Sequence, residues 1–423
     1  TLSPSSAASD VYKRQTPSPT PSPTPTIPEK VTIPAIFDQS GATSDVGVDY
    51  AWGALNFAKW INDKEGGILL GEKRVPLEMI GTDYAYKIPE AITTYERYKA
   101  TYNPPLIIGW GTGDTEALAA KVAEDKIVYI SASYSSHLDD PSKTPYNFYP
   151  CTSYSDQARS AMVWIKEWWE KHGEPSRPPR IVCAYDFKVP YCRAPIDAIK
   201  DFAARFGFEV GPDQNVSIRA TDASSQVEAI KAFGADFVWF GNTTATAAVL
   251  VKDLKKYGAE AVPIINTWGH DENLIKLAGE AAEGVMGATG HYYWGFEDKA
   301  PGLKDAKKAV EKYGPHDYFP ISSYIRGWLN ASMAVTAMEE CFAEYGELSG
   351  PKIKAILESW RDKTLKYCEG IVPPISFFPN DHRPCTKTLL LKIEGGKYKI
   401  EAEWVPSYKY VSEDPRDPKF LGW

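Results

Sequence analysis

Cysteine is scarce in this chain, with six residues in 423 and none in CxxC spacing, which removes metal fingers and thioredoxin-type redox chemistry from consideration. Long apolar runs are absent as well: no uninterrupted stretch approaches the roughly 20 residues that cross a bilayer. Basic charge is not in excess. Lys plus Arg number 47 against 55 Asp plus Glu, a net charge of −8, which argues against holding nucleic acid by neutralising its phosphates. Signatures of catalysis are missing too. The six histidines (His137, His172, His270, His291, His316, His382) follow no HExxH spacing, and neither a GxSxG elbow nor a GxxxxGK[ST] loop occurs. What the chain has instead is 33 Pro, 13 Trp and 25 Tyr on a body that is 43% apolar and 24% charged. That is enough material for two ordinary domains of roughly 150 to 200 residues each.

The first thirty residues do not read as fold. Residues 1–15, TLSPSSAASDVYKRQ, lack an apolar core and any periodicity, and are expected to be an appended scar rather than a signal peptide. Residues 16–28, TPSPTPSPTPTIP, alternate Pro with Ser or Thr, which favours an extended polyproline spacer over helix or sheet. Such a stalk suits an exported domain tethered to a membrane surface, and a disordered terminus without a role is the plainer alternative.

From Val31 the chain alternates β-branched runs with amphipathic stretches, the pattern of parallel sheet covered by helices. Strands are predicted from Val31, Val75, Leu106, Ile127, Arg180, Asp236, Val262 and Gly284. Helices are predicted from Asp45, which is placed to cap the first, and near Ile88, Thr115, Ser155, Tyr191, Ser225, Thr244 and Glu272. One βα series ends near Pro150 and another follows the SRPPR segment at Ser176, so two lobes of similar construction are expected. A helical segment from Pro320 to about Tyr345 and a C-terminal strand pair complete them.

In an open α/β sheet, ligands gather beyond the carboxyl ends of the strands, so the strand-to-helix loops are the places to look. After LIIG comes Trp110, Gly111, Thr112, Gly113 and Asp114, where glycines bring backbone close and the first helical N–H groups make a cradle suited to a carboxylate. A turn in which Asp114 or Thr112 merely caps the helix explains the same residues. After IVYI come Ser131, Ser133, Tyr134, Ser135, Ser136 and His137, hydroxyls and an aromatic that can orient a small polar ligand. After VPII come Trp268, a stacking surface, and Asp271, a partner for a cationic group. After RIVCAY come Phe187 and Tyr191. A single Trp or Tyr is more often core than site, but four strand-end loops carrying aromatics beside hydroxyls or glycines shift that balance.

The remaining motifs carry less. Asp139–Asp140 and Asp381–His382 can be drawn as acid and base, yet each sits among turn residues where solvated charge is the default. Cys368 and Cys385 flank a Pro-rich loop of about 16 residues, and a disulfide between them would contribute about 3 kcal/mol. Cys183 reads as a buried strand thiol, with Cys151 and Cys192 in loops. No cofactor is implied.

With these pieces placed, the body from about Val31 to about Val405 resembles the type I periplasmic solute-binding proteins, in the branch of branched-chain amino-acid (Leu/Ile/Val-type) receptors of ABC importers. The resemblance is carried in order by FDQSGATSDVG, INDKEGGILLGEKRVPLEMIGTD, LIIGWGTGDTEALAAKVAEDKIVYISAS, AAEGVMGA and FFPNDHRP. It implies an α/β fold of two Rossmann-like lobes joined by a three-strand hinge, with a solute in the cleft and no chemistry. The implied crossings lie near Pro150, Gly290 and Ile371. That divides the chain into residues 1–30 (scar and linker), 31–150 plus 291–370 (lobe 1), 151–290 plus 371–410 (lobe 2) and a tail, 411–423. Carried over residue by residue, the resemblance supports Thr112 and Gly113 for a ligand carboxylate, Ser133 with Ser135 for the second strand-end contacts, and Tyr191 and the Trp268 loop from lobe 2. Ser40, in the first loop, joins this expected set.

Two departures bear on the solute. Trp268 falls where the amino-acid receptors carry an acid that pairs with the ligand ammonium, and Trp110 falls among residues that are usually small. A Trp there exchanges charge pairing for stacking or cation–π contact, which suits an aromatic or uncharged solute or a cation held over a ring. Asp271 is placed to restore the charge if its loop is shifted. The expected protein is therefore a monomeric, extracytoplasmic binder of a small amino-acid-like, amide or aromatic solute, partnered by an ABC permease and not an enzyme. A sensory receptor domain of the same fold, an α/β enzyme and a glycan-binding module are the competing readings.

Overall fold

A computed structural model describes residues 26–417 and Phe420. The expected scar, most of the expected stalk and the last residues of the expected tail lie outside the described residues.

The short Val- and Ile-rich runs form strands buried on both faces, as parallel sheets under helices require. In the first sheet the order is Leu77–Asp83, Val31–Phe37, Leu106–Ile108, Val128–Ile130, Asn147–Phe148, all parallel. In the second, Gln214–Asn215, Arg180–Tyr185, Phe237–Phe240, Val262–Ile265 and Met286–Thr289 run parallel. The hairpin of Lys387–Glu394 and Lys397–Pro406 then adds antiparallel beside Met286–Thr289. Each sheet with its helices makes one lobe of an α/β fold, and in each the strand order reverses next to the lobe's first strand. That reversal opens a crevice at the strands' carboxyl ends.

Several boundaries differ from expectation for local reasons. Pro76 breaks the run from Val75: Lys73–Val75 pairs back on Ile68–Leu70, and the sheet strand begins at Leu77. The helix expected near Tyr191 is split into Pro190–Arg193 and Ile196–Phe206 around Pro195, which has no N–H to give. Thr43, not Asp45, precedes the first helix, Ser44–Glu65.

That first helix packs along the long helix Ser323–Tyr345 through two glycines. A Cβ on Gly53 would overlap the Tyr324 carbonyl, and one on Gly327 the Tyr50 carbonyl, so the two backbones touch. Small residues at both positions are what this crossing demands.

The chain passes between the lobes three times, and the passages lie side by side. A Cβ on Gly290 would meet Cys151 and Thr152, and the Thr152 hydroxyl bonds the Lys387 carbonyl. The third passage comes later than the expected Ile371. Phe377 still meets Phe148 of the first sheet edge to face, His382 stacks on it, and His382 N–H bonds the Asp139 carbonyl. This routing separates Cys385, whose Sγ is 3.0 Å from Thr152 Oγ1, from Cys368, buried beneath the long helix, and the expected cross-link is not formed. The same routing buries two groups expected to be solvated turn charges. Asp139 accepts from Tyr149 OH at 2.7 Å, and Asp381 holds Arg383 at 2.8 Å.

Candidate functional site

The carboxyl ends of both sheets converge on one small cavity of about 20 Å³, room for about one water. The first lobe supplies Thr43, Val46, Tyr86, Trp110, Gly111, Thr112 and Ala132; Tyr154, Tyr191, Thr243 and Trp268 complete the wall. Trp110 and Trp268 meet there edge to face, ring centroids 5.0 Å apart. Each indole is tied down. Trp110 Nε1 donates to Thr43 Oγ1 at 2.9 Å, and Trp268 Nε1 donates to Tyr154 OH at 2.6 Å. Tyr134 stacks on Trp268 at 5.7 Å and an interplanar angle of 21°.

Of the residues predicted from sequence, Trp110, Thr112, Tyr191 and Trp268 line the cavity. Ser133 and Ser135 stand behind Thr112, whose hydroxyl lies 2.7 and 3.0 Å from theirs, a buried three-hydroxyl cluster. Three predicted residues lie elsewhere. Ser40 is exposed and donates to Asp83 at 2.5 Å, pinning the first loop to a strand end. Gly113 is not among the lining residues, and a Cβ there would meet Ile88. Asp271 caps its own helix, Glu272–Ala278, by accepting from Asn273 N–H and Thr244 Oγ1, so its carboxylate does not reach the cavity.

Five lining side chains were missed: Thr43, Val46, Tyr86, Tyr154 and Thr243. Tyr86 and Thr243 sit in strand-to-helix loops that the same rule would have included. Ala85 and Tyr86 both adopt left-handed backbone, φ 53° and 55°, a strained turn that aims the Tyr86 ring inward.

Among the described residues no charged side chain lines the cavity, but charges lie just behind it. Asp114 is buried under the Gly111 turn, accepting from Tyr84 OH at 2.6 Å, and burial pushes its carboxyl up to about 7. Burial likewise lifts Asp271 to about 7. On the other side Arg326, from the long helix, lies 4.4 Å from the centre of the Trp268 ring. The cation expected over this ring is the chain's own.

Contacts between the lobes surround the cavity. Asp45 Oδ2 accepts from Ala245 N–H at 3.2 Å, and Glu272 accepts from Ser322 N–H at 2.7 Å and its hydroxyl at 2.5 Å. Arg326 bonds the Thr267 carbonyl. Among the described residues, no group of three His, Cys, Asp or Glu is placed to hold a metal.

Residues 30–397 match the profile of a family described as periplasmic binding protein. The chain belongs to the periplasmic binding protein family. Among solved structures it is similar to an ABC transporter substrate-binding protein from Aeropyrum pernix, at 32% identity over 90% of this chain and 97% of that one, TM-score 0.80. The fold also matches a branched-chain amino-acid ABC transporter protein from Thermus thermophilus with bound valine (23% identity, 90% and 98% covered, TM-score 0.80). A fatty-acid ABC transporter substrate-binding protein from Thermomonospora curvata matches as well (18%, 92% and 96%, TM-score 0.77). The search of curated protein sequences finds no match. For a periplasmic binding protein, a cleft between two sheets with loops from both is where a solute is held.

Proposed function

We propose that this protein is the solute-binding component of an ABC importer, in the branched-chain amino-acid receptor branch, and captures a small amino-acid-like, amide or aromatic solute without transforming it. The observation that carries this reading is the meeting of Trp110 and Trp268, one from each lobe, over a cavity backed by the Thr112, Ser133 and Ser135 hydroxyls. Rings grip a flat or apolar body, and hydroxyls orient its polar end. A solute larger than water enters only if the lobes part and the rings repack around it. Closure then follows from contacts made to both lobes at once, and the ligand shifts the population by its difference in affinity for the two states. A micromolar solute would supply about −8 kcal/mol in all.

The neighbours' solutes, valine and a fatty acid, differ enough that the fold does not select between them. Recognition by a membrane permease, monomeric action outside the cytoplasm and tethering through the Pro-rich segment 16–28 are parts of the same proposal. A thermal-shift panel of amino acids, amides and aromatic acids tests it. At least one class should raise the melting temperature in a concentration-dependent, saturable way, and a flat response across the panel would count against solute binding.

A further inference from the structure

Arg326 is the one charged residue in the first four turns of the helix Ser323–Tyr345, and it is fully buried. Its Nη2 donates to the Thr267 carbonyl, the Thr267 hydroxyl at 3.1 Å and Tyr293 OH at 3.4 Å, while Nε and Nη1 find no partner among the described residues. Two acids lie close enough to feel its charge, Asp271 and Glu272. Neither pairs with it: Asp271 is held by Thr244 and Asn273, and Glu272 by Ser322. An arginine cannot shed its proton to escape burial, and a buried cation without a counter-ion is strongly disfavoured. The guanidinium is thus a charge awaiting a partner, one indole away from the cavity, since Trp268 lines the cavity and Arg326 lies over its ring at 4.4 Å.

We infer that Arg326 is the counter-charge for a carboxylate on the solute, and that Trp268 is the shutter between them. Turning the indole out of its stack with Tyr134 joins the cavity to Nε and Nη1, the two donors left without a partner, and a carboxylate oxygen can accept a charge-assisted hydrogen bond from either. The indole then covers the body of the solute instead of the cation. The same placement argues against an ammonium on the solute, because no carboxylate among the described residues lines the cavity and the Trp268 ring already carries a cation. Of the solutes proposed above, this selects an aromatic or other organic acid lacking an amino group over an amino acid or an amide. This deepens the solute-binding proposal and rests on it.

The test uses the full chain and two substitutions, Arg326→Gln and Arg326→Lys. Small molecules released by denaturing each purified protein are identified by mass spectrometry, and each protein is titrated with phenylacetate, phenylacetamide and phenethylamine. Expected are a carboxylic acid released from the unsubstituted protein, loss of that acid from Arg326→Gln, and partial retention by Arg326→Lys. Affinity for an acid that binds should fall about 100-fold or more in Arg326→Gln. Because Arg326→Gln also removes the bonds to Thr267 and Tyr293, a lower melting temperature is compatible with the inference; what separates charge from packing is retention of the acid by Arg326→Lys, and equal loss from both variants overturns the inference. A neutral or cationic released solute, or equal retention by Arg326→Gln, overturns it while leaving solute binding intact. No released solute together with no response to any probe overturns the solute-binding reading itself.

Discussion

The contact between Glu272 and Ser322 allows closure to be weakened without touching the cavity. Glu272 opens a helix of the second lobe, and Ser322 precedes the long helix of the first, so one carboxylate serves the N-termini of two helices from opposite lobes. Hydrogen bonds to a charged group contribute about 1.5 to 3 kcal/mol each. Burial of the carboxyl, which raises its pKa, offsets part of this. A net loss of about 2 kcal/mol from the closed state is expected for Glu272→Ala, an affinity drop of about 30-fold. The contact joins the two lobes and parting them would break it, so the loss should lie in dissociation, with association unchanged. Calorimetry and stopped-flow tryptophan fluorescence with a bound solute, run on Glu272→Ala, Ser322→Ala and the double variant, read both quantities. A coupling of about 1 to 2 kcal/mol is expected from the cycle. Affinity within twofold of the parent, or a loss carried by association, would refute the reasoning.

Three further outcomes follow. Trp268→Ala removes the edge contact with Trp110, the stack with Tyr134, the cation–π contact with Arg326 and the bond to Tyr154; a loss of about 3 to 5 kcal/mol by denaturant unfolding is expected, and under 1 kcal/mol would contradict this packing. Gly53→Ala drives a methyl into the Tyr324 carbonyl and should cost about 3 kcal/mol or more, against about 1 kcal/mol for Gly66→Ala, whose φ of +78° is the only strain. Asp114 holds its proton in the folded state up to about pH 7, against an ordinary value of 3.8. Its contribution is therefore complete below pH 4 and is lost as pH rises through 7, up to about 4 kcal/mol. Denaturation curves of Asp114→Asn should lack this loss between pH 5 and 8, and parallel profiles would show the carboxyl to be ionised.

The strand ends were legible because β-branched runs bounded by glycine and proline are local signals, and the chemistry lies where those runs stop. Trp110, Thr112, Tyr191 and Trp268 follow from that rule alone. Asp271 lies off the cavity because a loop residue's direction depends on the turn, and its carboxylate satisfies the helix it precedes. Asp45 was read as a cap, whereas its carboxylate crosses to the other lobe. Arg326 lay outside every loop and was not considered, although a lone cation in an otherwise uncharged stretch, SYIRGWLNASMAVTAM, was its visible signal. The third passage was misplaced because what keeps residues 375–384 on the first lobe is the packing of Phe377, edge to face, and His382, stacked, on Phe148, contacts of long sequence separation.

Small-angle X-ray scattering of the full chain, first stripped of solute by partial denaturation and refolding and then reloaded with the solute it releases, tests the central claim most directly. The account predicts a smaller radius of gyration and shorter maximum dimension on loading, as Trp110 and Trp268 close on the solute from the two lobes. Superimposable curves at saturating, independently verified occupancy would contradict it.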